Sequence, residues 1–247
     1  MTESFAFCAD VHGDRQDTRA VAVFRKFLDA FKPKFRIFGG DLWDFRSLRA
    51  AAGDSEKQHS LLRDFSAGME FLEAYRPQVF LLGNHDMRLW DAVQRDGLRK
   101  GGPIADLATE KIAEFERLAA KLKIRVLPYE KRKGVWKRSG VSFCHGFATG
   151  PGAVSAMARV YGNCCFGHGH SVDVASEPGI AGPKIARMVG CLCRLDMVYA
   201  RTHLAALRQT HGWAYGVFRG PSRASVFQAE VVGGRVLFAG KFGEVSA

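Results

Sequence analysis

Five times along this chain a short apolar run stops abruptly and Asp, Asn or His follows within a few residues. The clearest case is Phe80-Leu81-Leu82-Gly83-Asn84-His85-Asp86. An apolar run of this length has the character of a buried strand, and the loop leaving such a strand is where α/β proteins present their chemistry. The design recurs where residues 4–9 run into Asp10-Val11-His12-Gly13, and where Phe35-Arg36-Ile37-Phe38 runs into Gly39-Gly40-Asp41-Leu42-Trp43-Asp44. It recurs again where residues 141–144 meet His145-Gly146, and where Cys164-Cys165-Phe166 meets Gly167-His168-Gly169-His170. One such loop is an ordinary glycine turn. Five in order describe a sheet that delivers polar side chains from its strand ends.

The segments between these loops supply the rest of an α/β fold. Apolar residues at 20, 21, 23, 24, 27, 28 and 31 predict an amphipathic helix over 18–31, closed by Pro33. Strand, helix, strand within about forty residues is a βαβ unit, so its two strands should be parallel. Residues 46–76, with Ala50-Ala51-Ala52 and a break at Gly53-Asp54, read as one or two helices ending before Pro77. A further helix is expected over 103–122, a strand over 124–128, a basic turn over 130–138, and a loop with a short helix over 147–161. Beyond Lys184 the alternation suggests antiparallel hairpins turning at 220–222 and at Gly233-Gly234, while 191–215 carries no assignable pattern. Trp43 and Trp90 follow two of the polar loops, and core packing is their expected role ahead of walling a site. No linker or repeat interrupts the sequence. One domain over 1–247 is expected, with the motifs in about 5–172 and a β-rich part in about 184–247.

Charge is placed unevenly. The chain carries a formal +11, yet residues 1–45 balance at seven basic and seven acidic. Residues 95–138 hold thirteen basic against six acidic, and residues 184–247 nine against three. Two basic zones point to a polyanionic partner, DNA or RNA ahead of an anionic lipid surface. Lys131, Arg132 and Lys133 are the densest cluster and the candidate substrate-binding residues. No run of 18 apolar residues predicts a membrane span, and nothing at the amino terminus reads as a secretion signal. The six cysteines are too sparse for a disulfide scaffold and are expected as reduced core thiols of a cytoplasmic protein. A zinc site joining Cys164-Cys165 to Cys191-x-Cys193 is the lesser reading, since the spacing matches no usual knuckle.

Two carboxylates, an amide oxygen and four imidazoles suit two borderline divalent ions, and five of the eight histidines lie in the loops. Asp10-x-His12, Gly40-Asp41-x-x-Asp44, Gly83-Asn84-His85-Asp86, His145-Gly146 and Gly167-His168-x-His170 together resemble the signature blocks of the calcineurin-like metallophosphoesterases. The arrangement is most similar to small members from bacteria and their phages. That resemblance implies a four-layer αββα sandwich of two mixed sheets with metals at the strand ends. It implies one ion held by Asp10, His12, Asp41 and His170, and a second by Asp41, Asn84, His145 and His168. His85 would protonate the leaving oxygen, oriented by Asp86 or a main-chain group, and a metal-bound hydroxide would attack phosphorus. Manganese is the first expectation for both ions, with iron, zinc or nickel as alternatives.

Departures from the pattern bear on substrate. The family's protein phosphatases continue the second block with Arg-Gly and end the third with Glu, whereas here Phe45-Arg46 and Asp86 stand. Its DNA-repair nucleases carry a capping domain for which this chain lacks room. Its lipid A pathway UDP-sugar hydrolases carry Arg where this chain has His85. A phosphodiesterase acting on nucleic acid or nucleotides is the leading expectation. A pyrophosphohydrolase on a nucleotide- or lipid-linked diphosphate is the alternative, and a metal-stabilised binding subunit the non-enzymatic one.

Overall fold

Alternation along the strands decides the layers. In β1 (Thr2–Cys8), Phe5 and Phe7 point to one face and Ala6 and Cys8 to the other, and all four are buried. A strand buried on both faces must be covered on both. The computed structural model describes residues 2–49, 53–97, 102–196, 207–238 and 243–246.

One face of β1 meets helices. The chain continues through α1 (Thr18–Phe31), β2 (Phe35–Phe38), α2 (Asp54–Lys57), α3 (Leu61–Tyr75), β3 (Val79–Leu81), α4 (Met87–Gly97), α5 (Pro103–Leu122) and β4 (Arg125–Leu127). Asp17 caps α1 by accepting from the Arg19 and Ala20 amides, and Lys32 ends it in a left-handed conformation. Phe24 and Phe27 of α1, Phe71 of α3 and Phe115 of α5 bury against Ala6, Cys8, Phe38 and Phe80 of the strands. The other face meets a second sheet. There Phe5, Phe7, Ile37, Val79 and Leu81 interlock with Val141, Phe143, Cys165 and Val189.

That second sheet comprises β5 (Trp136–Arg138), β6 (Val141–Cys144), β7 (Cys164–Phe166), β8 (Val172–Glu177) and β9 (Lys184–Val189), in the order β5-β6-β7-β9-β8. Its outer face is covered by α6 (Ala153–Tyr161), whose Val154, Met157 and Ala158 pack on Cys164, Phe166 and Met188. The first sheet runs β11-β10-β1-β2-β3-β4, adding β10 (Gly212–Arg219) and β11 (Ala224–Glu230). β1 to β4 are parallel, as are β6, β7 and β9, while β10, β11, β5 and β8 pair antiparallel. The result is the expected αββα stack of two mixed sheets. A separate ribbon of β12 (Arg235–Phe238) and β13 (Gly243–Ser246) follows.

Several expectations need correction. Met87–Gly97 is a helix that the polar residues after the third loop obscured, although Leu89, Ala92 and Val93 carry its spacing. The basic segment is a turn only through Gly134; Trp136–Arg138 then pairs as β5. β8 (Val172–Glu177) forms where the sequence carries no clear strand signal. β12 pairs with β13, so the second hairpin reduces to a bridge between Val232 and Arg235. In the unassigned stretch, Cys191 bridges to His211 and Cys193 to Gln16. Residues 197–206 and Ala50-Ala51-Ala52 lie outside the described residues. Trp43 is fully buried and stacks on Phe65, and Trp90 packs on Phe115, so both serve the core. Among the described residues no helix is long and apolar enough to cross a membrane.

Candidate metal centre

The parallel strands of both sheets end at the same place. Loops after β1, β2 and β3 bring Asp10, His12, Asp41, Asn84 and His85, and loops after β6 and β7 bring His145, His168 and His170. Asp10, His12, Asp41, His168 and His170 all adopt left-handed backbone angles, with φ between 52° and 68°. Such angles strain a non-glycine residue by about 1 kcal/mol or more and persist where surrounding structure imposes them, often at functional sites. Close approach sets the glycines. A Cβ on Gly83 would strike the Asp41 carboxylate, and one on Gly167 would strike that of Asp10.

Asp41 lies at the middle. Its Oδ1 accepts the His85 amide at 2.8 Å, while Oδ2 lies 3.3 Å from His145 Nε2, 3.8 Å from His12 Nε2 and 4.0 Å from His85 Nε2. On one side stand Asp10, His12 and His170: His12 and His170 face each other Nε2 to Nε2 at 3.2 Å, with Asp10 Oδ1 3.3 Å from His170. On the other, His145 Nε2 meets Asn84 Oδ1 at 3.0 Å and His168 Nδ1 at 3.2 Å. His145 Nδ1 donates to the Gly39 carbonyl at 2.7 Å, which turns Nε2 toward the cluster as the nitrogen that would ligate once deprotonated.

This donor set fits divalent cations. Donor atoms of Asp10, His12 and Asp41, and those of Asp41, His145 and His168, converge within 4.8 Å in two groups that share Asp41. Asp10 Oδ1, fully buried, makes no hydrogen bond of good geometry and has His170 Nε2 beside it at 3.3 Å, so a bound cation would give this oxygen a better partner than the structure provides. The protons distribute accordingly in the metal-free protein. Burial would raise Asp41, but His145 and His85 outweigh it and hold the carboxyl well below its ordinary range. Burial would lower His145 and His170, but Asp41 and Asp10 respectively outweigh it and leave each at about 9. Burial, aided by His145, pulls His168 down to about 4.

His85 is held differently from the expectation. Asp86 does not orient it: the buried Asp86 carboxylate accepts the amides of Asp41, Leu42, Trp43 and Gly83 at 2.8–3.2 Å, tying the second and third loops together. The ring is held by Asp44, whose Oδ1 is 2.8 Å from His85 Nδ1. Arg88 reaches the same place, with Nη2 3.2 Å from His85 Nε2 and Nη1 donating to the Asp44 carbonyl at 2.6 Å. Both were legible as neighbours: Asp44 shares a loop with Asp41, and Arg88 lies one helical turn after His85. Behind them Arg46 ties Asp44 to Asp14, and Asp64 accepts the Asp44 and Phe45 amides.

The cysteines do not assemble as the zinc reading required. In β7, Cys164 faces α6 while Cys165 faces the other sheet, so the two cannot grip one ion. Cys193 stands behind the centre, its Sγ 3.7 Å from His170 Nδ1.

The basic segment is split by the strand pairing. β5 runs antiparallel to β6 with Trp136 opposite Phe143 and Arg138 opposite Val141, so Lys131, Arg132 and Lys133 lie at the end of the sheet where His145 emerges. Lys137 and Arg138 occupy the opposite end. There the Arg138 guanidinium covers Phe35 and Phe218 and pairs with Glu3.

A family model described as calcineurin-like phosphoesterase matches residues 4–171. No curated protein sequence matches the chain. Among solved structures, vacuolar protein sorting 29 from Cryptosporidium parvum aligns over 100% of this chain and 99% of that one, at 12% identity and a TM-score of 0.48. The Chaetomium thermophilum protein of the same name covers 99% and 93%, at 12% identity and 0.46. A predicted phosphoesterase from Streptococcus pneumoniae covers 100% and 99%, at 12% identity and 0.35. At this distance none of them transfers a role to the chain.

Proposed function

Because the chain belongs to the calcineurin-like phosphoesterases, we propose that it is a dinuclear, metal-dependent phosphodiesterase acting on nucleic acid or nucleotides. The observation that carries this reading is the sharing of Asp41 between two donor groups, with His85 at their border. Asp10, His12, Asp41 and His170 would hold one ion, and Asp41, Asn84, His145 and His168 the other. N/O donors of this kind accept manganese, iron, zinc or nickel with little discrimination, and manganese is the first to test. When bound, such a pair polarises phosphoryl oxygens and lowers the pKa of water.

The chain's own groups supply the remainder. Asp44 fixes the His85 ring through Nδ1, so Nε2 is the atom offered to a leaving oxygen. Arg88 Nη2 lies 3.2 Å from that nitrogen and must turn to a phosphate oxygen, where its charge is useful, before Nε2 can carry the proton. Asp86 keeps the loops carrying Asp41 and His85 in register through its four amide contacts. Burial of Asp10, His12, Asp41 and His145 excludes bulk water from the donor atoms.

The test is elemental analysis beside hydrolysis of bis(4-nitrophenyl) phosphate and 4-nitrophenyl phosphate. Two ions per chain and preferential diester turnover are expected, with both ions and turnover lost in Asp41→Ala. A protein that hydrolyses neither ester, or an Asp41→Ala variant that keeps two ions, overturns the reading.

A further inference from the structure

A row of aromatic rings leads away from the metal centre to the basic turn. Tyr129 stands edge-on to His145, with ring centroids 5.7 Å apart. Phe147 stacks on Tyr129 at 5.1 Å and 27°, and Tyr161 follows at 5.9 Å and 37°. All three residues are half-buried, so each keeps part of its surface accessible to solvent. The row is pinned at both ends. Tyr129 donates its hydroxyl to the Gly146 carbonyl at 3.2 Å, and Tyr161 donates to the carbonyl of Lys131 at 3.0 Å.

Lys131, Arg132 and Lys133 are exposed, and among the described residues none pairs with an acidic side chain. Glu130 spends its carboxylate on the amides of Arg132 and Lys133, which fixes the turn and leaves a local excess of two positive charges. Three unengaged cations are more than one phosphate at the metal centre needs. Exposed aromatic surface alongside cations is the combination that holds unpaired bases and their phosphates. A duplex hides its base faces and would use only the cations.

We propose that Tyr129, Phe147, Tyr161 and the Lys131–133 turn form a track for single-stranded nucleic acid leading into the metal centre. The proposal rests on the phosphodiesterase reading, which it narrows to one substrate class. Lys137 and Arg138 lie outside the track, at the far end of the sheet.

Binding is measured by fluorescence anisotropy on the full chain, metal-loaded and carrying His85→Ala to suppress turnover. The probes are an oligothymidine of about 12 nucleotides and a duplex of equal length. Reversing all three turn cations to Glu should weaken oligothymidine binding at least about tenfold near ~50 mM salt and reduce the log–log salt slope by about two. Phe147→Leu keeps apolar volume while removing the middle ring. It should weaken single-strand binding about tenfold and leave duplex binding unchanged. Unchanged oligothymidine affinity and slope in the triple reversal overturns the track, as does duplex binding as tight as single-strand binding. If the wild-type protein hydrolyses no phosphoester, the phosphodiesterase reading fails, while the anisotropy result still decides the track.

Discussion

His85 Nδ1 lies 2.8 Å from Asp44 Oδ1, so the imidazole is oriented by a carboxylate 41 residues earlier and not by its sequence neighbour Asp86. His85→Ala should lower kcat by about 10²–10⁴-fold while metal content survives, since the ring is proposed as a proton donor and not a ligand. Asp44→Asn should lower kcat about 10–100-fold, the scale typical of losing an orienting partner. Added to His85→Ala, Asp44→Asn should cost little more in kcat at saturating metal, because there the two act through one ring, while its other neighbour, His12 Nδ1 at 3.5 Å, bears on metal affinity. Independent, multiplicative losses would show that Asp44 acts elsewhere.

Asp86 has a structural task, and its removal should show as instability. Burial and the neighbouring Asp41 charge push the carboxyl upward, and four main-chain amides oppose them by favouring its ionised form. An amide at this position would turn one acceptor into a donor facing backbone N–H groups. Asp86→Asn should therefore destabilise the protein by about 2–5 kcal/mol in denaturant unfolding. A stable variant with reduced kcat would return Asp86 to a catalytic role.

Metal uptake should expel protons. With His145 and His170 held at about 9, both imidazoles are protonated near neutral pH in the metal-free protein, and each must lose its proton to ligate. Calorimetric titration in two buffers of different ionisation heat should reveal roughly two protons released per chain near neutrality. Affinity should weaken as pH falls below about 9, because protons then compete for the same nitrogens. A buffer-independent heat would contradict this protonation pattern.

Asp64 gives a pH dependence outside the metal cluster. Burial raises its carboxyl to about 7 from an ordinary 3.8, so the folded protein holds a proton that the unfolded chain releases between those values. The stabilisation is complete below the lower value and lost as pH climbs to the upper. Between pH 4 and 7 the wild type should lose about 2–4 kcal/mol of stability relative to Asp64→Asn. Parallel stability profiles for the two proteins would show that Asp64 is ionised throughout.

The sequence by itself determined what is local. The bounds of Thr18–Phe31 and Pro103–Leu122 follow from hydrophobic period and proline placement, and the polar loops follow from apolar runs that stop at glycine. Those loops already contained the residues that converge on Asp41. Tertiary structure decided everything that depends on which strand lies beside which. His12 and His170 meet across 158 residues because both sheets end their parallel strands at one place, a fact no local pattern carries. Antiparallel pairing of β5 with β6 divided one basic run, sending Lys131 to the end of the sheet where His145 emerges and Arg138 to the far end. The choice between Asp44 and Asp86 had the same origin. Both carboxylates end polar loops, and only packing shows that one meets amides and the other an imidazole.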